Sequence, residues 1–137
     1  MNQNNFVFDS EYCNVKYVPE DDSVLLAWKQ PSYFGNYRTP SLYMLYLLQA
    51  NPGSNYIVDA RHGFEDEKAD VEWAFSNLLP LMAQTGCKKV IFIMNRQNSI
   101  EGEMDMWASE FKKYFEVYRA ATYEEIRYNK LRKKENT

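Results

Sequence analysis

The chain has 137 residues, 45% of them hydrophobic, and a formal net charge of −3. This length predicts a single domain, residues 1–137, that buries roughly two-thirds of the surface of the unfolded chain. The charge is mildly acidic, and Lys and Arg are spread along the chain apart from a C-terminal cluster. Nucleic-acid binding is therefore not expected.

The N-terminal residues, the longest apolar run and the cysteines predict the cellular compartment of the protein. Residues 1–5 are polar and uncharged, unlike a secretory signal, and the longest nearly apolar run, residues 42–48, is too short to span a bilayer. We expect a cytoplasmic protein with no membrane partner. Cys13 and Cys87 stand alone without CxxC spacing, which predicts two reduced, partly buried thiols. No cofactor and no metal are expected.

The first elements are two strands. Residues 12–18 and 23–29 are rich in Val, Leu, Tyr and Trp, and turn-forming residues 19–22 separate them. This pattern predicts an antiparallel hairpin.

A helix should follow the hairpin. Thr39 can cap it, Pro40 suits its first position, and Asn51-Pro52-Gly53 should end it. Its middle, residues 42–48, is apolar nearly all the way round. Such a helix either lies deep in the core or meets a partner with its outer face.

The third strand is predicted over residues 56–60, and Asp66 can cap a second helix. Pro80 should kink or break this helix, and Gly86 should end it. Residues 90–94 form a continuous apolar run, typical of a strand covered on both faces. The second helix carries apolar residues at helical spacing: Val71, Ala74, Phe75, Leu78 and Met82.

A third helix, a last strand and a terminal helix complete the order. Ser99 can cap the third helix, residues 115–119 suit an edge strand, and Thr122 with Glu125 forms a capping box. The terminal helix should fray into a basic tail over about residues 130–137, whose charges suit the helix dipole better than a membrane surface. The third helix has a core stripe: Met104, Trp107, Ala108, Phe111 and Phe115.

The predicted order is β-β-α-β-α-β-α-β-α, which favours an α/β fold with a mixed sheet and mostly parallel, right-handed crossovers. With this order, the chain resembles the anti-sigma-factor-antagonist-like (STAS-like) domains. The local features that carry the resemblance are Trp28, Tyr37-Arg38, residues 58–61, Trp73 and residues 86–90.

The resemblance implies a non-enzymatic domain that works by contacting another protein. Well-studied members of the family carry a phosphorylatable Ser or Thr at the start of the helix after the third strand. Residues 62–68 of this chain contain no hydroxyl side chain. The resemblance therefore implies the fold and the mode of action without the phosphorylation switch.

One candidate site lies where the third strand ends. Asp59, Arg61, His62 and Asp66 combine acids, a base and the only histidine of the chain. A histidine near carboxylates can act as a general base or hold a metal, and a strand exit is where ligands gather in α/β sheets. Neither HxH nor HExxH spacing is present, and no Ser or Cys lies nearby in sequence. The alternatives are a small-ligand or enzyme site here and a solvated loop in which Asp59 pairs with Arg61.

A second candidate is an interface made by Trp28, Tyr33, Phe34, Tyr37 and Arg38. Aromatic residues and arginine carry much of the binding energy at protein interfaces. The alternative is that these side chains only cover the sheet edge. We expect a protein-interaction or regulatory module, whose partner is another protein or a second copy joined through the first helix and these aromatics.

Overall fold

The computed structural model describes residues 7–94 and 100–126, which form one six-stranded sheet with helices packed on it. The strands lie side by side in chain order. The pairs β1–β2 and β2–β3 are antiparallel, and the pairs β3–β4, β4–β5 and β5–β6 are parallel. The predicted α/β fold with a mixed sheet is confirmed. The strands are β1 (Val7–Asp9), β2 (Cys13–Val18), β3 (Ser23–Trp28), β4 (Asn55–Asp59), β5 (Lys89–Ile93) and β6 (Glu116–Ala120).

The helices connect the parallel strands and close the described chain. A 3-10 turn, Pro19–Asp21, joins β2 to β3. Among the described residues, no helix has both the length and the apolar character needed to cross a membrane. The helices are α1 (Gly35–Ala50), α2 (Lys68–Trp73), a π-helical turn (Ala74–Leu78), α3 (Leu79–Ala83), α4 (Glu101–Phe111) and α5 (Tyr123–Ile126).

The two faces of the sheet have separate cores, because side chains alternate along each strand. On one face, residues such as Leu26, Val58 and Phe92 pack against α1, the α2–α3 unit and α4. On the other face, Ile57 and Ile91 belong to a smaller cluster with α5. The main core, and any site within it, therefore lies between the sheet and the three crossover units.

The sequence prediction lacked one strand. β1 (Val7–Asp9) adds antiparallel to β2, so the sheet has six strands where five were predicted. Three residues are too short to show a period-two pattern, which explains the omission. The predicted third strand is β4.

The predicted start of α1 is wrong. The helix begins at Gly35, Thr39 lies inside it, and Pro40 occupies an interior position. Phe34, immediately before the helix, has a positive φ of 53°, and its N–H donates to Asp70 Oδ2 at 2.7 Å. This contact with a carboxylate distant in sequence stabilises an earlier start. Pro40 costs the helix a single backbone bond near its first turns.

Other helix ends differ in detail. Asp66 does not cap α2, which begins at Lys68 after Glu67. The break predicted at Pro80 takes the form of the π-helical turn, which ends just before α3. Thr122 does cap α5, since its Oγ1 accepts the Glu125 N–H at 3.1 Å. The predicted cap Ser99 and the basic tail lie outside the described residues.

Candidate ligand-binding pocket

A mostly apolar pocket lies between the sheet and the helices of the main core. It is close to the ends of β3 and β4, below the loop of residues 60–67 that joins β4 to α2. About 590 Å³ of it is free of protein atoms, part of which is open to solvent. Within the pocket, the volume that the centres of water molecules can occupy is about 60 Å³. A water needs roughly 10–15 Å³ by this measure, so the space suits a ligand of a few non-hydrogen atoms.

Aromatic rings form one wall of the pocket. Trp28 and Tyr37 stack with ring centroids 5.5 Å apart and planes within 8° of parallel. Phe64, from the loop above, meets Trp28 edge-on at 5.4 Å and Tyr33 edge-on at 5.8 Å. Phe64 is half-buried, whereas Tyr33 is 41% exposed. The Phe64 ring therefore connects the pocket to an exposed aromatic side chain.

Gly63 allows the loop to approach the core. A Cβ at this position would lie 2.7 Å from Ile100 Cδ1 and 2.9 Å from the Ala60 carbonyl oxygen. The Ile100 side chain can shift, but the backbone carbonyl leaves too little room for any residue with a side chain. The Gly63 N–H donates to that same carbonyl at 2.9 Å, which fixes a tight turn directly after β4.

Two carboxylates face each other in this apolar setting. Glu103 of α4 accepts the Asp66 backbone N–H at 3.1 Å and the Trp107 indole N–H at 2.9 Å, both at Oε2. The Asp66 carboxyl is itself hydrogen-bonded to Glu103. Burial first, then the charge and hydrogen bond of Glu103, raise the pKa of Asp66 to about 8. At neutral pH the Asp66 carboxyl is therefore mostly protonated and hydrogen-bonded to Glu103.

Tyr37 and Tyr56 add buried hydroxyl groups to the lining. Burial is the main reason that the pKa of each phenol lies well above its ordinary value, and the charge of Asp66 contributes to both. These phenols stay neutral. Ser41, also in the lining, donates its hydroxyl to the Tyr37 carbonyl at 2.8 Å. The Asp66–Glu103 pair is thus the charged part of the pocket.

A separate buried carboxylate holds the neighbouring helix start in place. Asp70 is fully buried and accepts the Phe34 N–H at 2.7 Å and Arg38 Nε at 2.8 Å. The Arg38 guanidinium also lies 5.3 Å from the centre of the Trp73 ring. This network positions the start of α1, and with it Tyr37, against α2.

The π-helical turn (Ala74–Leu78) places Leu78 in the pocket lining. Such turns occur often at functional sites, because the extra residue per turn redirects side chains at some cost in helix stability.

The structure separates the residues of the first candidate site. Asp59 Oδ2 and Arg61 Nη2 form an ion pair at 2.7 Å, and Glu124 of α5 adds to the raised pKa of Arg61. His62 is exposed and does not line the pocket. Asp66 does line it. Strand alternation explains the split, since Ile57 and Asp59 lie on the α5 side and Val58 and Ala60 on the pocket side.

The second candidate group also divides. Trp28 and Tyr37 line the pocket, and Arg38 binds the buried Asp70. Tyr33 and Phe34 are exposed by 41% and 53%. The interface prediction therefore stays a prediction for these two residues.

Sequence reasoning missed the partner of Asp66. Glu103 and Trp107 lie one helical turn apart, and Trp107 belonged to the predicted core stripe. An acid four residues before a buried tryptophan was a usable signal, because a buried indole N–H needs an acceptor. Nothing in the sequence indicated that Asp66, 37 positions earlier, would meet them.

No cluster suited to a metal ion forms in the described part of the chain, where no three His, Cys, Asp or Glu side chains come together for that purpose. Comparisons of the chain with protein-family models, with curated proteins and with solved structures found no match.

Proposed function

We propose that this protein is a non-enzymatic regulatory domain of STAS-like type that binds a small organic molecule in the pocket below the β4–α2 loop. The observation that carries the proposal is the Asp66–Glu103 pair. Placing two carboxylates side by side in a partly buried, apolar setting costs free energy, and apolar residues of similar volume often serve stability as well or better. Glu103 satisfies two N–H groups, and the Asp66 carboxyl is hydrogen-bonded to Glu103 and to the Trp107 side chain.

The reactivity of the described residues favours binding over covalent chemistry. The Ser41 hydroxyl already donates to a backbone carbonyl. Cys13 and Cys87 are buried, and burial raises the pKa of each thiol to about 12. A thiol with so high a pKa is a poor nucleophile at neutral pH. These observations support a binding site in preference to a nucleophilic enzyme.

The three tryptophans allow a direct test of ligand binding. Trp28 and Trp107 line the pocket, whereas Trp73 does not. In two-dimensional NMR, small organic compounds should shift the indole N–H signals of the first two and leave the third in place. Trp→Phe variants at each position assign the signals. Equal shifts of all three, or no shift with any compound, would contradict the proposal.

A regulatory output requires that the pocket communicate with the surface. Phe64 lines the pocket and contacts the exposed Tyr33, which lies beside Phe34. We infer that a ligand displacing the Phe64 ring changes the surface that Tyr33 and Phe34 present to a partner protein. The outer side of α1 adds further exposed apolar area through Leu42 and Tyr46, which are 50% and 42% exposed.

The partner proposal is tested separately from the ligand proposal. Either another protein or a second copy of this chain is the partner. Tyr33→Ala combined with Phe34→Ala should weaken partner capture, or dimerisation measured by light scattering at micromolar concentration. The matched control is Tyr114→Ala, since Tyr114 is 40% exposed at a different place. A strictly monomeric mass would refute the dimer, and an unchanged partner profile would refute the interface.

We propose a cytoplasmic location, without a nucleic-acid or membrane partner. The proposal is supported by the two buried free thiols, which suit a reducing compartment, and by the mild net charge. Localisation of a fluorescent fusion in the native cell tests it.

A further inference from the structure

The charge of the pocket restricts its ligand. Asp66 and Glu103 lie in a lining that contains no Lys, Arg or His among the described residues. Arg38, next in sequence to the pocket-lining Tyr37, is bound to Asp70. No cation among the described lining residues balances these two acidic groups, and the low polarity around them strengthens their attraction for one.

The rings around the pair suit the same kind of ligand. Trp28, Tyr37, Phe64 and Trp107 all contribute to the lining. Aromatic faces attract cations, tryptophan most strongly, and such rings are a common means of binding ammonium groups. Carboxylates and aromatic faces together can hold a charged head, while the apolar remainder of the pocket contacts a short hydrocarbon chain.

We propose that the pocket binds a small organic cation, a primary amine carrying a short alkyl group, with its ammonium against Asp66 and Glu103. This inference rests on the proposed ligand-binding function and adds the class of ligand. A metal ion fits less well, since two carboxylates without a third such ligand among the described residues make a poor metal site. An anion is repelled by the pair.

Ammonium binding is coupled to the proton that the pair holds. An ammonium group favours the ionised form of Asp66, whose pKa is about 8 in the free protein. The charged and titratable groups that face it are Glu103 from α4, Asp70 from α2, Tyr37 from α1 and Tyr56 from β4. Below about pH 8, binding therefore releases up to one proton, and affinity should rise by about tenfold between pH 6 and pH 7.

The test uses three probes of equal chain length: n-butylammonium, butan-1-ol and butyrate, at matched ionic strength. The readout is the shift of the Trp28 and Trp107 indole signals, with proton release measured by calorimetry in two buffers. Butylammonium should bind at least tenfold more tightly than butanol, with a Kd on the order of millimolar for so few atoms. Butyrate should not bind.

Two variants locate the charge. Asp66→Asn should remove the pH dependence of butylammonium binding and the release of a proton, because the titrating carboxyl is gone. Asp105→Asn should change neither, because Asp105 lies on the same helix as Glu103 but points to an exposed ion pair with Arg119. Persistence of the pH dependence in Asp66→Asn would overturn the role assigned to Asp66.

The outcomes separate the two proposals. If butanol binds as tightly as butylammonium, the cation inference is wrong and the ligand-binding function stands. If none of the three probes shifts the two indole signals at tens of millimolar, the ligand-binding function and the inference built on it both fail.

Discussion

Replacing Asp66 with asparagine should stabilise the protein increasingly as pH rises. The carboxyl has a pKa of about 8 in the folded chain and an ordinary value of 3.8. Because the folded pKa is the higher one, the stability contributed by the protonated group is complete below about pH 4. It is lost progressively as pH rises towards 8, while the unfolded chain ionises and the folded chain does not. Asparagine has the same shape and no such titration.

The expected magnitude follows from the interval between the two pKa values. Each pH unit within it changes the free energy of unfolding by about 1.4 kcal/mol. From pH 5 to pH 7, the free energy of unfolding of Asp66→Asn should therefore rise by about 2 to 3 kcal/mol relative to that of the parent protein. The lower figure allows for the partial contact of Asp66 with solvent.

Urea unfolding monitored by tryptophan fluorescence at pH 5, 6 and 7 measures this difference. Asp105→Asn serves as the control, because its carboxylate is exposed in the folded and unfolded chains alike. Its free energy of unfolding should run parallel to that of the parent protein. If Asp66→Asn also ran parallel, the Asp66 carboxyl would not hold its proton in the way described, and the reasoning would be refuted.

Three further predictions concern packing. Gly63→Ala should lower the free energy of unfolding, measured by thermal denaturation, by about 2 kcal/mol, because its Cβ meets a backbone carbonyl. Gly102→Ala, which has open space around it, should raise the free energy of unfolding by up to about 1 kcal/mol. Equal effects of the two substitutions would contradict the proposed tight turn. Asp70→Ala should lower the free energy of unfolding in urea by about 3 kcal/mol, because it leaves Arg38 without its buried partner. A decrease under about 1 kcal/mol would show that this ion pair does not stabilise the start of α1. Cys13 and Cys87 should resist a thiol reagent at pH 8 until urea is added, and rapid labelling of the folded protein would contradict their burial.

Much of the fold could be predicted because its signals are local. The hairpin around Pro19–Asp21, the apolar run of β5 and the stripe of α4 are patterns of neighbouring residues. The start of α1 could not be predicted in this way. It depends on Asp70, which lies 36 residues after Phe34 and accepts its N–H.

For the pocket, too, local sequence signals were informative, whereas contacts between residues distant in sequence could not be predicted. The exit of β4 lies beside the pocket, and Asp66, one of the residues predicted there, lines it. Asp59 and His62 were grouped with it because they are close in sequence, but strand alternation sends Asp59 to the opposite face and leaves His62 exposed. Glu103 was missed because its contact with Asp66 spans 37 residues.

The chain order of the strands has a consequence for synthesis. Each strand from β2 to β6 pairs with the strand made just before it, so the sheet can grow in one direction as the chain leaves the ribosome. At every stage the newest strand is one open edge of the sheet, opposite β1. While β5 is the newest strand, its almost wholly buried run, Lys89–Ile93, has no partner on one side until β6 is made. A pause in translation at that stage would expose an apolar, aggregation-prone edge of the growing sheet.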